Sequence, residues 1–179
     1  HRGSSAASDV YKRQQLDFII LGGGASGLQL AYRLSNHTAF ENASILILES
    51  NNHKGNDRTW CYWETGDGEW DDLLQNQWNK VQFKSKNVNK TIDLGSASYK
   101  MLRSKPYYER LHQSLANNKS IQIEYARCIG FVDKGSHVTV STDMQTYRCS
   151  TLFNSAFDWN VLNKQSRYPV LQQHFLGWY

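Results

Sequence analysis

Between residues 16 and 49 the spacing of apolar positions changes twice, and each change marks an element. Phe18-Ile-Ile-Leu21 is a continuous apolar run, as expected of a strand buried on both faces. Leu28, Ala31 and Leu34, with Leu30 beside them, then recur at helical spacing, and Ile45-Leu-Ile-Leu48 is a second continuous run. The pattern predicts a β-α-β unit with parallel strands. The joint between the first strand and the helix holds Gly22, Gly24 and Gly27. At that spacing the first glycine permits a sharp turn, the second leaves room for a pyrophosphate against the backbone, and the third lets the helix pack close to the strand. Ala25 and Ser26 fall in the first helical turn, where unbonded N–H groups and the positive end of the helix dipole favour an anion. Glu49 closes the second strand twenty-two positions beyond Gly27, where a carboxylate can accept hydrogen bonds from ribose hydroxyls. Together these residues imply a dinucleotide site; a glycine-rich turn in an ordinary α/β domain is the alternative.

Beyond this unit the polar stretch Ser50 to Asp57 reads as a connection running into Arg58-Thr-Trp-Cys-Tyr-Trp63. Lys80 to Phe83 and Lys90 to Leu94 have strand character and are joined through Asn87-Val-Asn89 as a hairpin. Tyr99-Lys-Met-Leu-Arg103 leads into a helix with Ser104 or Lys105 at its cap and Pro106 in its first turn. Tyr107, Tyr108, Leu111 and Leu115 form the apolar stripe of that helix, and Asn117-Asn118 ends it. Ile121 to Phe153 reads as β throughout: Ile121 to Tyr125, Ile129 to Val132, Val138 to Val140, the short polar piece Gln145 to Arg148, then Leu152-Phe153. Gly130, Lys134-Gly135 and Asp143 mark the turns. A three-stranded meander feeding a last buried strand is how flavoproteins with two dinucleotide-binding domains return the chain to the central sheet. The expected fold class is therefore α/β, a Rossmann-like domain with a parallel central sheet plus a β-meander.

The 179 residues suffice for one domain of ordinary size. Residues 1–14 show no apolar periodicity and no signal- or transit-peptide pattern; they resemble translated adaptor DNA and are read as a non-native leader. At the other end the chain stops within an aromatic, strand-like run, Gln172 to Tyr179, and reads as the N-terminal part of a longer protein. Arg2, Lys12 and Arg13 against Asp9 account for half of the formal net charge of +4, and the other basic residues are scattered, so no nucleic-acid footprint is expected. Cys61, Cys128 and Cys149 lack disulfide or metal-ligand spacing, which argues against a metal site; they read as small buried hydrophobes in a reducing, cytoplasmic compartment. No window approaches the ~18 consecutive apolar residues a spanning helix needs, so any membrane contact would be peripheral.

Four segments, in order, carry a family resemblance. They are Asp17 to Leu34 with Glu49; Asn56-Asp-Arg-Thr-Trp-Cys-Tyr-Trp63; Met101-Leu-Arg-Ser104 with Tyr107-Tyr-Glu-Arg-Leu111; and Leu152-Phe-Asn-Ser155 with Gln172-Gln-His-Phe-Leu-Gly-Trp178. In this arrangement residues 16–179 resemble the N-terminal half of the bacterial lycopene cyclases, FAD-dependent proteins of carotenoid synthesis, and Asn-Asp-Arg-Thr-Trp is the most specific of the segments. The resemblance implies that a carboxylic acid protonates the ψ end of lycopene, that the neighbouring double bond attacks the resulting cation to close a ring, and that proton loss leaves a β-ionone group. It also implies reduced FAD as the group that stabilises the cation, NADPH as the reductant that keeps the flavin reduced, and peripheral membrane contact for access to the polyene. The resemblance implies no net redox. Residues 15–155 are then the FAD-binding domain, with a β-rich insertion at 60–100, and 156–179 begin a substrate domain.

On this reading Gly22, Gly24, Ala25, Ser26, Gly27, Glu49, Arg58 and Arg103 bind the cofactor, while Thr59 and Trp60 line the substrate. The catalytic acid is expected beyond Tyr179. Trp60 and Trp63 are also candidates for ordinary packing, Arg103 for a surface residue, and His174 for a structural strand histidine. Glu64, Glu69, Asp71 and Asp72 form an acidic cluster with no base partner in the sequence and read as a solvated loop. Two other functions stay open: a related FAD-dependent oxidoreductase of the hydroxylase or geranylgeranyl-reductase kind, and a nucleotide-binding fragment without activity.

Overall fold

A computed structural model describes residues 15–52 and 55–156. The expected β-α-β unit is present as β1 (Leu16–Leu21), α1 (Ala25–Ser35) and β2 (Ile45–Glu49), with Ile19 opposite Leu46 in a parallel ladder. The chain continues through β3 (Thr59–Thr65), β4 (Leu74–Trp78), β5 (Lys80–Lys84), β6 (Asn89–Asp93), β7 (Ala97–Arg103) and α2 (Ser104–Ala116). It ends with β8 (Ile121–Tyr125), β9 (Cys128–Asp133), β10 (Val138–Thr142) and β11 (Thr146–Asn154). The leader at residues 1–14, His174 and the Gln172-to-Trp178 run lie outside the described residues.

The main sheet has the order β8-β2-β1-β11-β10-β9. β8, β2, β1 and β11 run parallel, and β10 and β9 add an antiparallel edge. Strand side chains alternate between faces, so the unbroken apolar runs feed two cores at once. On one face Ile20, Ile45 and Ile47 meet Leu28 and Ala31 of α1 and Tyr107, Tyr108, Leu111 and Leu115 of α2. On the other, Ile19, Leu21, Leu46 and Leu48 meet Ala126, Val140 and Cys149. Burying one such aliphatic side chain contributes roughly 1.5–3 kcal/mol, which fixes the register of the parallel strands far more firmly than propensity does.

Several sequence expectations need correction. Thr146 to Arg148 and Leu152-Phe153 belong to one nine-residue strand, β11, which is both the third strand of the meander and the strand that returns to β1, while Gln145 precedes it. Gly130 marks no turn: it lies inside β9 opposite Ser141, where the register to β10 shifts in a bulge that takes up an extra residue. The N-cap of α2 is Arg103, so Ser104 stands in the first turn. Of the cysteines only Cys149 is buried, with its thiol pushed up to about 11 by that burial; Cys61 is exposed and Cys128 half-buried.

The segment 59–103 builds a second sheet, β3-β7-β4, in which Thr59 pairs with Arg103 and Trp63 with Tyr99. β4 was not expected, because Leu74-Gln-Asn-Gln-Trp lacks alternation; its pairing with β7 supplies what its sequence does not. The acidic cluster is not free. Lys100, fully buried, donates to Asp71 Oδ1 at 2.7 Å, to Glu64 Oε2 at 2.9 Å and to the Gly66 carbonyl at 3.2 Å. Glu69 pairs with Arg33 and Asp72 with Arg110. The Asp71 carboxyl is held below its usual range, first by the Gly68 N–H and then by Lys100. The expected hairpin forms from β5 and β6, with its turn at Ser85–Val88 closed by the Ser85 N–H on the Val88 carbonyl at 2.7 Å.

Candidate functional site

Each glycine of the β1–α1 joint meets a distinct physical demand. Gly22 has φ +93°, a left-handed conformation that other residues rarely adopt. Gly27 faces the Gly22 carbonyl so closely that a Cβ would lie 1.9 Å from its oxygen. Gly24, the N-cap of α1, has φ −80° and ψ −171°, which any residue can adopt. Its backbone dihedrals therefore do not require glycine. The first helical hydrogen bond runs from the Leu28 N–H to the Gly24 carbonyl at 2.9 Å, so the N–H groups of Ala25, Ser26 and Gly27 precede the ladder and form the positive end of the helix dipole.

Glu49 is brought to this joint. It is buried at the end of β2, where its Oε2 accepts from the Gly23 N–H at 2.7 Å and its Oε1 from the Asn51 N–H at 2.8 Å. The Ser50 hydroxyl also donates to Oε1 at 3.4 Å, so the carboxylate is fixed at the joint through both of its oxygens. Ser155 closes the joint from the opposite side: its hydroxyl donates to the Leu21 carbonyl at 2.7 Å, and its N–H to the same oxygen at 2.9 Å. Its hydroxyl also lies 3.1 Å from the Gly22 carbonyl.

Two clefts open on either side of the glycine loop. One, about 420 Å³, is lined by Gly22, Gly24, Glu49, Ser50, Arg127 and Ser155 among others. The second, about 410 Å³, is lined by Gly24, Ala25, Glu49, Asp57, Arg58, Trp60 and Tyr108 among others. Glu49 and Gly24 form the ridge between them. The Tyr108 phenol is held above its usual range, chiefly by burial and then by Asp57, and so stays a neutral hydrogen-bond donor. Trp60 packs edge-on against Tyr107 and Tyr108, at 5.4 and 5.9 Å between centroids, and serves at once as core and as cleft wall.

Arg103, Thr59 and Ser26 do not contribute to the walls of these two clefts. Arg103 Nη1 donates to Thr59 Oγ1 at 2.8 Å, and the Asn56 side-chain oxygen, oriented to accept, lies 3.1 Å from Arg103 Nε and 2.9 Å from Nη2. Its guanidinium thus braces the loop that carries Arg58. Ser104 braces the same loop: its hydroxyl accepts from the Arg58 N–H at 3.0 Å and reaches the Gly55 carbonyl at 3.2 Å and Asp57 Oδ1 at 3.1 Å. The Ser104 N–H also donates to the Arg58 carbonyl at 3.0 Å. Sequence reasoning missed Ser104, Tyr108 and Ser155 as builders of the site. Ser104 and Ser155 each stand just beyond the last residue of a strand, and that position was the available signal.

A free helix N-terminus, a glycine whose backbone does not need to be glycine, a carboxylate fixed beside both and clefts to either side fit a dinucleotide such as FAD. Among the described residues no group of three or more His, Cys, Asp or Glu side chains could hold a metal ion, and no helix is long and apolar enough to cross a membrane.

Solved structures share this fold. The probable FAD-dependent monooxygenase pqsL from Pseudomonas aeruginosa superposes with a TM-score of 0.59 at 11% identity, over 78% of this chain and 42% of that one. The p-nitrophenol 4-monooxygenase PnpA from Pseudomonas putida DLL-E4 gives 0.60 at 13% identity, over 78% and 39%. NikD, an unusual amino acid oxidase essential for nikkomycin biosynthesis, gives 0.54 at 13% identity, over 79% and 51%. The chain therefore has the Rossmann-like architecture of FAD-binding proteins and spans about half or less of the length of each. No curated protein matches it in sequence. The family model described as lycopene cyclase protein matches residues 17–179, from the first strand through the glycine joint and the second sheet to the last residue, and the chain belongs to that family.

Proposed function

We propose that this chain forms the FAD-holding part of a lycopene β-cyclase, which closes the ψ end groups of lycopene to β-ionone rings without net redox. Membership of the lycopene cyclase family across residues 17–179 carries this reading, and the fit of the glycine joint to a dinucleotide supports it. The N–H groups of Ala25, Ser26 and Gly27 would hold the pyrophosphate, with Gly24 leaving room for it. Glu49, fixed beside the joint by the Gly23 and Asn51 N–H groups, would accept from the ribose hydroxyls. Arg58, Tyr108 and Trp60 would bound the isoalloxazine side, Arg58 offering positive charge, Tyr108 a neutral donor and Trp60 an apolar wall that excludes water.

The chemistry begins with a proton placed on the terminal double bond of the polyene. The resulting tertiary cation is attacked by the neighbouring double bond, the six-membered ring closes, and loss of a ring proton restores neutrality. FAD, bound in its reduced form and kept so by NADPH, would supply a fixed negative charge beside the developing cation. Arg103 and Thr59 act as positioning residues: they hold the Asn56-to-Arg58 loop against the cleft. On this reading the proton donor would come from chain beyond Tyr179. The polyene substrate implies a cytoplasmic protein that meets the membrane peripherally.

Pigment analysis in a lycopene-accumulating host tests the proposal. The full-length gene product should yield β-carotene without consuming stoichiometric NADPH, and the 179-residue chain alone should not. Unchanged lycopene with one NADPH oxidised per product would replace the cyclase by a redox flavoenzyme.

A further inference from the structure

The β5–β6 hairpin forms a two-stranded sheet of its own, outside both larger sheets, and carries exposed apolar side chains. Its ladder pairs Val81 with Ile92 and Phe83 with Lys90, and the Leu94 N–H on the Asn79 carbonyl at 2.9 Å carries the pairing back toward β4 and β7. It therefore projects from the second sheet as a two-stranded arm about 17 Å long. Phe83 is 56% exposed, Val88 at the tip 45% and Ile92 40%. An isolated two-stranded hairpin is marginal in water, and apolar groups at its tip make it more so.

The same arm is strongly basic. Residues 80–93 contain Lys80, Lys84, Lys86 and Lys90 against the single acid Asp93. By register Val81, Phe83 and Ile92 share one face with Lys90, Lys80 and Lys84 lie on the other, and Lys86 stands in the turn. Lysines surround the apolar tip, and their long side chains can lie along apolar surface while their charges stay at the polar level. Trp78, 40% exposed, stands at the root of the arm, and indole rings favour the boundary between water and acyl chains.

Apolar tip, basic collar and aromatic root together match one partner chemistry, an anionic phospholipid surface. We propose that the β5–β6 hairpin docks the protein onto anionic bilayers, with Phe83 and Val88 entering the acyl boundary and Lys80, Lys84, Lys86 and Lys90 facing lipid phosphates. This rests on the polyene-substrate reading above for its purpose, since a substrate dissolved in the bilayer must be met there, but on the hairpin alone for its geometry. Nucleic acid would use the lysines and leave Phe83, Val88 and Ile92 without a role.

The test is vesicle flotation of the full-length protein, using phosphatidylcholine vesicles with and without about a third phosphatidylglycerol. The wild type should float only with the anionic vesicles, and less so as salt shortens the screening length. Each Lys→Gln change among the four should weaken partitioning about fivefold, the equivalent of the ~1 kcal/mol that one basic residue gains near an anionic surface. The double variant Phe83→Ser/Val88→Ser should weaken it at least tenfold while keeping the circular dichroism of the wild type, since both side chains face solvent. Variants that float like the wild type would overturn the proposal. So would hydroxyl-radical footprinting that finds Phe83 shielded in the free protein, because another part of the chain would then cover the arm. Activity on lycopene in detergent micelles separates the two readings: the hairpin variants should cyclise it at the wild-type rate. If the wild type binds vesicles through the hairpin but never cyclises lycopene, the docking stands and the cyclase reading falls.

Discussion

Replacing Gly27 with alanine isolates the physical reason for the last glycine of the joint. The added Cβ would sit 1.9 Å from the Gly22 carbonyl oxygen and 3.0 Å from Ser155 Oγ, whereas real Cβ contacts stay beyond 3.0 Å. Helix α1 and the β1 turn must therefore separate by about 1 Å, and no flexible side chain can absorb the movement because the obstacle is backbone. That shift lifts Leu28 and Ala31, both fully buried, off Ile20, Ile45 and Ile47. Overpacking of this kind costs roughly 1–3 kcal/mol, and the rigid obstacle argues for the upper end. Alanine recovers at most about 1 kcal/mol through its higher helix propensity. The net loss should be about 2 kcal/mol, or a melting temperature about 4–8 °C lower. Thermal melts of the full-length protein followed by circular dichroism, alongside flavin absorbance of the purified protein, measure both stability and retention. Gly24→Ala is the comparison, melted as flavin-free protein: with φ −80° its backbone dihedrals carry no strain, so it should lose less melting temperature than Gly27→Ala, while its flavin retention drops. A Gly27→Ala protein that melts with the wild type and stays yellow would refute the close-packing argument. Equal destabilisation by Gly24→Ala would refute the division of labour between the two glycines.

Glu49→Gln keeps one acceptor oxygen but turns an amide N–H₂ toward the Gly23 or Asn51 N–H, so it should cost about 1.5–3 kcal/mol of stability and weaken dinucleotide binding at least tenfold by titration calorimetry. A variant that binds like the wild type would remove Glu49 from the site. Ser104→Ala leaves the Arg58 N–H without its acceptor; we expect a loss of about 1–3 kcal/mol and faster proteolysis at 55–58, and an unchanged digestion pattern would count against the bracing role. The Cys149 thiol, raised from 9.0 to about 11 by burial, gives a pH dependence of defined sign. The unfolded chain releases this proton first, so the stabilisation is complete below about pH 9 and is lost as pH rises toward 11, at up to ~1.4 kcal/mol per unit. Urea titrations between about pH 8 and 9, below the range near 10 where unfolded tyrosines ionise and the raised Tyr107 and Tyr147 begin to contribute, should show the onset of this slope in the wild type and a flatter one in Cys149→Ala.

The β-α-β unit was legible because its signals are local and mutually consistent: two unbroken apolar runs, a helical stripe and glycines at fixed offsets all demand the same geometry. The hairpin and the α2 stripe were legible for the same reason. β4 was not, since Leu74-Gln-Asn-Gln-Trp owes its conformation to β7, a partner more than twenty residues away. The ion pairs of Lys100 were hidden for a related reason. A lysine at an inward strand position reads as an error until the fold brings Glu64 and Asp71 to it from the other end of the insertion. In the candidate site the glycines and Glu49 could be read from spacing alone. Ser104 and Ser155 offered only their place just past a strand end, because a hydroxyl that ties two backbone segments together leaves no periodic trace. Arg103 was legible as a special residue, but its partners Thr59 and Asn56 are fixed by strand register, which one-dimensional spacing does not give.

β1 is flanked by β2 on one side and by β11 on the other, and those two neighbours are separated by about a hundred residues of chain. During synthesis at roughly 5–20 residues per second, β1 and β2 can pair some five to twenty seconds before β11 leaves the ribosome. Throughout that interval the β11-facing edge of β1, with Phe18 to Leu21 along it, is an open apolar template. The glycine joint is also incomplete until Ser155 arrives to hold the Leu21 carbonyl. The nascent protein thus carries its most aggregation-prone edge and its least finished site at the same place and for the same reason. Slow codons or chaperone depletion across residues 50–145 should therefore lower the soluble yield more than the same delay imposed after residue 156.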